Sequence, residues 1–294
     1  MAEEIRKNPS GIEELLANVR QKRPLIHCIT HPISINQCAN AILALGARPM
    51  MAEHPGEVET ITKSAGALML NLGNLSPERA ASIPISANAA KEAGVKVCLD
   101  VCGAACLENR RGLALNVIGK YAPDVVKGNY SEIMALARGD YSSSGVDADA
   151  GLNEEEILKV ASELADKYGV TILASGKVDI ICDGHRSCLV RNGCEQMGMV
   201  TGTGCLQGAI AATFLSCRLG FDAAVDAALV LGVCGELANE SSGGIFAKMA
   251  GRRGTSPKKA VPLGTFAVNL MDSISTVTAK DITKKADIAY IART

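Results

Sequence analysis

The sequence contains no tryptophan, and aromatic residues make up only 3% of its 294 residues. Hydrophobic residues nevertheless account for 48% of the chain, so a folded core has to be built from alanine, valine, isoleucine, leucine and methionine. Charged residues are limited to 21%, which is typical of a globular protein rather than a disordered one. The net charge of −1 lacks the basic excess that a phosphate backbone needs, so we expect no nucleic acid partner.

Targeting and cross-linking signals are also missing. The N-terminal stretch carries charge and no apolar core, which argues against a signal peptide, and no apolar run is long enough to span a membrane. The 11 cysteines are odd in number and lack disulfide or zinc spacing, which favours a reducing, cytoplasmic location. Cys98, Cys102 and Cys106 recur at regular spacing, but no histidine or fourth cysteine completes a metal site. We therefore expect no membrane partner and no zinc.

Apolar runs alternate with helical patterns along most of the chain. The runs that read as buried strands are residues 24–30, 65–73, 95–100, 123–127 and 170–175. Strands alternating with helices predict an α/β fold, with a doubly wound, mostly parallel sheet and helices on both faces. Asp183-Gly184, between two short apolar runs, predicts one hairpin. No linker divides the chain, so residues 1–294 are predicted to form a single domain.

The stretch from 197 to 210 carries the clearest chemical signal. A β-like run at 197–201 meets Gly202 and Gly204, and Cys205 then opens an apolar helix. The glycines allow close backbone approach, and the N–H groups at a helix start can cradle an anion. The same helix end lowers the pKa of a cysteine thiol, which suits a base in phosphoryl transfer. A Gly-rich turn before a helix is common, however, and Cys205 is also compatible with a small buried core residue.

Two better-known glycine signatures are absent from this stretch. No Gly-Lys-Ser/Thr follows the glycines, so the pattern is not a P-loop. The third spaced glycine of the dinucleotide fingerprint is also missing, which weighs against a nicotinamide-dependent oxidoreductase.

Polar residues cluster where the predicted strands end. These residues are Asp100, Lys127, Gly128, Asn129, Ser175 and the turn 202–205. In open α/β sheets, ligands bind beyond the carboxyl ends of the strands. Their convergence predicts a ligand site at this edge and is stronger than any single motif.

A set of motifs in one order resembles the hydroxyethylthiazole kinases, the thiamine-salvage branch of the ribokinase-like fold. The resemblance runs from about residue 24 to residue 281. Its marks are Ile29-Thr30 with Asn36 and Ala39-Asn40, the segments 45–52 and 65–73, Gly128 to Ile133, Gly145-Val146-Asp147, and 200–205. The family phosphorylates the hydroxyethyl group of 4-methyl-5-(2-hydroxyethyl)thiazole with ATP and Mg²⁺. By this resemblance Cys205 occupies the position of the catalytic base, and Met51 and Gly202 match thiazole-contact positions.

The remaining site residues also come from the resemblance. Lys127, where the family often has arginine, and Ser175, often threonine, match ATP-contact positions. Asp100 and Glu132 match acidic positions that organise Mg²⁺ and phosphates. Because Mg²⁺ prefers oxygen ligands and keeps several waters, these carboxylates could act on it through water. The family is typically a homotrimer with active sites at subunit boundaries. Other roles stay open: Glu132 as a first-turn helix acid, Ser175 as a turn residue, and Met51 as core.

This sequence departs from the family pattern at two places. Residues 100–107 read Asp-Val-Cys-Gly-Ala-Ala-Cys-Leu, where the family has Asp-Pro-Val-Gly-Ala-Gly-Ala-Thr. The asparagines that flank Ile-Thr in the family are Cys28 and His31 here, and His31 either faces the thiazole pocket or is a turn residue before Pro32. Two alternatives follow: a kinase for another small heteroaromatic alcohol, or a catalytically silent thiazole- or nucleotide-binding homologue.

Overall fold

The computed structural model describes residues 4–6, 11–139, 153–241 and 261–291. The strands are β1 (Glu4–Arg6), β2 (Leu25–Ile29), β3 (Arg48–Met50), β4 (Ala67–Asn71), β5 (Lys96–Asp100), β6 (Val125–Asn129), β7 (Thr171–Ser175), β8 (Asp179–Cys182), β9 (Ser187–Val190) and β10 (Ile288–Ile291). The helices are α1 (Ile12–Lys22), α2 (Ile35–Ala44), α3 (Val58–Ser64), α4 (Pro77–Ala93), α5 (Glu108–Tyr121), α6 (Tyr130–Ala137), α7 (Glu154–Tyr168), α8 (Gln196–Met199), α9 (Thr203–Leu215), α10 (Gly220–Ser241), α11 (Leu263–Thr276) and α12 (Ala279–Lys285). The Gly145-Val146-Asp147 motif lies outside the described residues.

One ten-stranded sheet runs through the molecule in the order β1-β10-β9-β8-β7-β6-β5-β4-β2-β3. The block from β3 to β7 is parallel, which confirms the predicted mostly parallel sheet. Beyond β7 the pairing is antiparallel, and the turn at Asp183-Gly184 joins β8 to β9 as predicted. Strand β10, which pairs with β9 and β1, was not predicted from the sequence.

Helices cover both faces of the sheet, as the alternation predicts. On β4, Met69 packs into a layer that includes α1, α2, α9, α10 and α11. Its neighbour Leu68 points into a second layer with α4, α5, α6 and α7, because successive strand side chains face opposite ways. Helix α9 is buried from Cys205 to Leu215 and packs against β4, β5, α2 and α10. An added Cβ at Gly208 would lie 2.9 Å from Met69 Cε, so the glycine permits this close packing.

The strand register brings polar side chains together at one edge of the sheet. Asn71 lies opposite Asp100, and Asp100 lies opposite Lys127. On the next pair of strands, Asn129 lies opposite Ser175. Because parallel strands end at the same edge, the predicted convergence of Asp100, Lys127 and Ser175 is confirmed.

The segment before α9 differs from its predicted local structure. The prediction of a β-like run at 197–201 is wrong, because these residues belong to the short helix α8 and to a turn that leads into α9. Thr203 Oγ1 donates to the carbonyl oxygens of Met197 at 2.9 Å and Val200 at 3.3 Å, and these bonds hold the turn. A short apolar run does not by itself distinguish a strand from a helical turn. Pro84 lies inside α4, which continues past it to Ala93.

None of the helices in the described ranges is both long and apolar enough to cross a membrane.

Candidate active site

Cys205 lies in the first turn of α9. The helix is preceded by Gly202 with φ of 88°, in the left-handed region that favours glycine. The first N–H groups of a helix have no partner within it, so this turn presents amide hydrogens and the positive end of the helix dipole. Cys205 is buried, and its Sγ lies 3.2 Å from His31 Nε2. The predicted anion-binding turn and the predicted basic sulfur are therefore adjacent.

The Cys205 sulfur is held as a thiolate by its neighbours. A side-chain hydrogen bond from Cys102 contributes most to lowering the pKa of the Cys205 thiol, and the bond from His31 and the charge of Lys127 add to it. Burial opposes this lowering, because it disfavours the charged form. The pKa of the Cys102 thiol is raised in turn, because Cys102 keeps the proton of the pair. Of the two thiols, Cys205 is therefore the more acidic.

Lys127 of β6 and Asp100 at the end of β5 form a buried ion pair. Lys127 Nζ lies 3.5 Å from each Asp100 carboxylate oxygen, and Asp100 is fully buried. Asn71 Nδ2 donates to Asp100 Oδ2 at 2.9 Å. Burial alone would lower the pKa of Lys127, but Asp100 and Glu132 outweigh it and raise that pKa, so the ammonium keeps its charge.

Glu132 ties the loop after β5 to the start of α6. Its Oε2 accepts the N–H of Asn129 at 2.7 Å, and the Asn129 side chain accepts the N–H of Glu132 at 2.9 Å, which completes a capping box. Its Oε1 accepts the N–H of Gly103 at 2.7 Å. Burial raises the pKa of Glu132, while Lys127 and the two backbone donors oppose that rise. Glu132 is therefore a first-turn helix acid that also faces the charge of Lys127.

A cavity of about 680 Å³ opens beside the first turn of α9. Its lining includes Ser175, Gly176, Asp179, Thr203, Gly204 and Gln207. An added Cβ at Gly204 would lie 3.0 Å from Lys127 Nζ, so the glycine lets the cation approach the cavity wall. Ser175 Oγ donates to the carbonyl oxygen of Gly128 at 3.3 Å. The volume is that of a pocket for a nucleotide-sized ligand.

Met51 and Gly202 are the two residues that the family resemblance assigns to the thiazole. Met51 is partly buried against the core layer that contains Cys205, and an added Cβ at Gly202 would collide with Gln37 of α2. The segment that carries Met51 is fixed by His27, whose Nε2 lies 3.0 Å from the carbonyl oxygen of Ala52. A carbonyl only accepts, so Nε2 carries the proton and donates it.

Sequence reasoning named seven candidate site residues but not the side chains that contact them. The structure brings Asp100, Lys127, Glu132 and Cys205 into one group of mutually interacting charges, with Ser175 on the adjoining cavity. The contacts that sequence reasoning missed are those of Cys205 with His31 and Cys102, of Asn71 with Asp100, and of Gln207 with Asp179 at 2.6 Å. One signal was available, because His31 and Cys102 are both departures from the family pattern.

A metal site built from protein ligands alone is absent from the described part of the chain. No three His, Cys, Asp or Glu side chains there lie together in an arrangement that could hold a metal ion. None of the 11 cysteines, all of which lie within the described residues, is joined in a disulfide.

Comparison with known proteins gives a consistent result over nearly the whole chain. The model of the hydroxyethylthiazole kinase family matches residues 16–280. A relative named hydroxyethylthiazole kinase 2, from Clostridium botulinum (strain Langeland), is 36% identical over 280 residues, or 94% of this chain and 98% of the relative. The hydroxyethylthiazole kinase of Natranaerobius thermophilus is 33% identical over 94% of this chain and 95% of its own length.

Solved structures agree with these relatives. The hydroxyethylthiazole kinase protein from Pyrococcus horikoshii OT3 has a TM-score of 0.81 and 32% identity, and covers 95% of this chain and 98% of its own. An ADP complex of Bacillus subtilis pyridoxal kinase shares the fold at a TM-score of 0.53 and 16% identity, over 71% of this chain and 90% of its own. The fold is thus ribokinase-like, and the chain belongs to the hydroxyethylthiazole kinase family.

Proposed function

We propose that the protein transfers the terminal phosphoryl group of ATP to the hydroxyl of 4-methyl-5-(2-hydroxyethyl)thiazole, with Cys205 as the general base. The observation that carries the proposal is the Cys205 thiolate in the first turn of α9, beside the Lys127–Asp100 pair and the adjoining cavity. Family membership supports the reaction class and the thiazole substrate.

Cys205 supplies the site for the alcohol proton. A primary alcohol attacks phosphorus well only when it is positioned in line and its proton has an acceptor. As the alcohol oxygen bonds to the γ-phosphorus, the bond from phosphorus to the bridging oxygen of ADP breaks and the alcohol proton moves to Sγ. The N–H groups of the turn 203–205 stabilise the negative charge on the transferring group. We assign Gly202, which directly precedes this turn, and Met51 to the thiazole on family resemblance.

ATP is assigned to the cavity next to Gly204. Ser175 lines it, and Lys127 lies behind the Gly204 backbone. Lys127 places a point charge near phosphate oxygens, without the bidentate fork that arginine offers. The permanent charge of Lys127 supports this role, since its partners hold it protonated.

Mg²⁺ fits the site through water rather than by direct ligation. The oxygens of Glu132 already accept two backbone N–H groups, and those of Asp100 face Asn71 and Lys127. Mg²⁺ prefers oxygen ligands and keeps several waters, so these two carboxylates would hold its hydration shell while ATP phosphates supply direct ligands. The ion would neutralise charge on the phosphates.

The assembly and location complete the proposal. We propose a homotrimer on family resemblance, and a reducing cytoplasm because the 11 cysteines form no disulfide. Sedimentation that shows a monomer at working concentration would refute the trimer.

ADP release tests the reaction directly. The purified protein is supplied with ATP and Mg²⁺, with and without the thiazole alcohol. Thiazole-dependent release establishes both reaction and substrate. A rise in melting temperature without release indicates a silent binder, and release only with a different heteroaromatic alcohol indicates the other alternative.

A further inference from the structure

His31 is clamped beside the Cys205 sulfur by its surroundings. Its side chain is buried, with Nε2 3.2 Å from Cys205 Sγ and 3.4 Å from Ser34 Oγ. Ser34 in turn lies 3.1 Å from the hydroxyl of Thr30. An added Cβ at Gly73 would lie 2.5 Å from His31 Cδ2, so the ring fills space that only a glycine leaves free. The ring packs closely against Gly73, and its Nε2 lies within hydrogen-bond distance of the sulfur.

The charge of the sulfur decides which ring nitrogen carries the proton. A thiolate only accepts, so Nε2 has to donate to Cys205. Nδ1 is buried without a hydrogen-bond partner among the described residues. A single proton on Nε2 leaves only a lone pair at that unpartnered position, which avoids burying an orphan N–H group. We assign a proton to Nε2, which donates it to the sulfur.

We propose that His31 is the positioning residue of this active site: its Nε2–H holds the Cys205 sulfur in its charged form and fixes the direction of its lone pairs. The inference rests on the proposed function, because it concerns the same sulfur. The other groups that face Cys205 are the Cys102 thiol and the Lys127 ammonium, which favour the thiolate, and the side chains of Cys38, Asp100 and Glu132, whose negative forms oppose it. His31 follows β2 in the chain, and its Nε2 lies 3.2 Å from the sulfur.

The test measures the thiolate itself, without kinase turnover. The full-length protein and its His31→Leu and His31→Asn variants are alkylated with iodoacetamide across a pH series, and modification of Cys205 is followed by peptide mass spectrometry. Leucine removes the donor, whereas asparagine offers an N–H group in its place. His185→Leu, in the exposed β8–β9 turn, is the matched control. If the leucine variant does not fold, His31→Met, a flexible side chain without an N–H group, takes its place.

Loss of the donor should raise the alkylation midpoint of Cys205 by about one pH unit, which is a tenfold lower rate below the midpoint. Asparagine should restore most of the rate, and in active enzyme the acid limb of kcat/KM should move with the alkylation midpoint. An unchanged midpoint in the leucine variant overturns the inference, as does an equal shift in leucine and asparagine variants, which indicates packing alone. A shift in alkylation without thiazole phosphorylation supports the role of His31 and refutes only the proposed function.

Discussion

Replacement of Cys205 is the most direct probe of the chemistry. Alanine removes the proton acceptor and leaves the amide-rich turn of α9 and the Lys127–Asp100 pair in place. Loss of a positioned general base lowers kcat by about 100- to 10,000-fold, which corresponds to about 3 to 5 kcal/mol of activation free energy. Binding of the thiazole should persist, because the proposed contacts at Met51 and Gly202 do not involve the sulfur.

Aspartate at this position is the complementary variant. The groups that stabilise the thiolate are the hydrogen bonds from Cys102 and His31 and the charge of Lys127, and all three also stabilise a carboxylate. Cys205→Asp should therefore be ionised at neutral pH and keep kcat within about tenfold of the natural enzyme. Cys217→Ala, a half-buried cysteine next to Ser216, is a control that should not change kcat.

The assay is thiazole-dependent ADP release, with thiazole binding followed separately by the shift in melting temperature. Near-normal turnover in Cys205→Ala would remove Cys205 as the base. A folded Cys205→Asp protein that binds thiazole but has no turnover would assign the cysteine a structural role. The proposal is supported only if Cys205→Ala has slow turnover, Cys205→Asp is active, and both variants still bind thiazole.

Three further predictions follow from the same geometry. Lys127→Met leaves Asp100 buried without its cation and should lower the free energy of unfolding by about 3 kcal/mol in urea denaturation. The double variant Lys127→Met with Asp100→Asn should recover most of that free energy. Simple additivity of the two single changes would contradict the pairing. Gly202→Ala places a side chain on a residue in the left-handed region and against Gln37, which should cost about 1 to 2 kcal/mol of stability. It should also raise KM for thiazole more than KM for ATP. Equal effects on both KM values would place Gly202 outside the thiazole site. Because the pKa of Cys205 is lowered, we expect the base to be ionised through neutral pH. The value of kcat/KM should therefore stay level from about pH 8 down to about pH 6 and fall only at lower pH. An acid limb near the ordinary thiol pKa would contradict the thiolate assignment.

The strand-end prediction succeeded because it depends on topology alone. Once strands alternate with helices, the sheet has to be parallel, and parallel strands deliver their carboxyl ends to one edge. Asp100 and Lys127 each end a predicted apolar run, so their shared edge was predictable, whereas their direct pairing between β5 and β6 was shown by the structure. No distance information was needed for this step.

The partners of Cys205 could not be predicted in the same way. His31 and Cys205 are 174 positions apart, and their contact depends on how the loop after β2 meets the start of α9. Cys102 lies in a loop whose path is fixed by the Glu132 bond to Gly103, a side-chain interaction that no local pattern signals. Glu132 shows the related difficulty: its capping-box spacing predicts a helix acid, and the structure shows that it also faces Lys127.

The charges at the strand ends are arranged for a ligand rather than for the stability of the fold. A buried ion pair contributes little to stability, because desolvation of both charges offsets their attraction, and apolar residues at Asp100 and Lys127 would pack these ends at lower cost. The pair instead keeps Lys127 charged inside the protein, where burial alone would favour its neutral form. In the proposed site, an anionic phosphate donor would meet a cation that is already desolvated, so little reorganisation would be needed during transfer. The same reasoning applies to Cys205: its neighbours lower the pKa of the buried thiol, which would suit the proposed transfer of the alcohol proton to its sulfur.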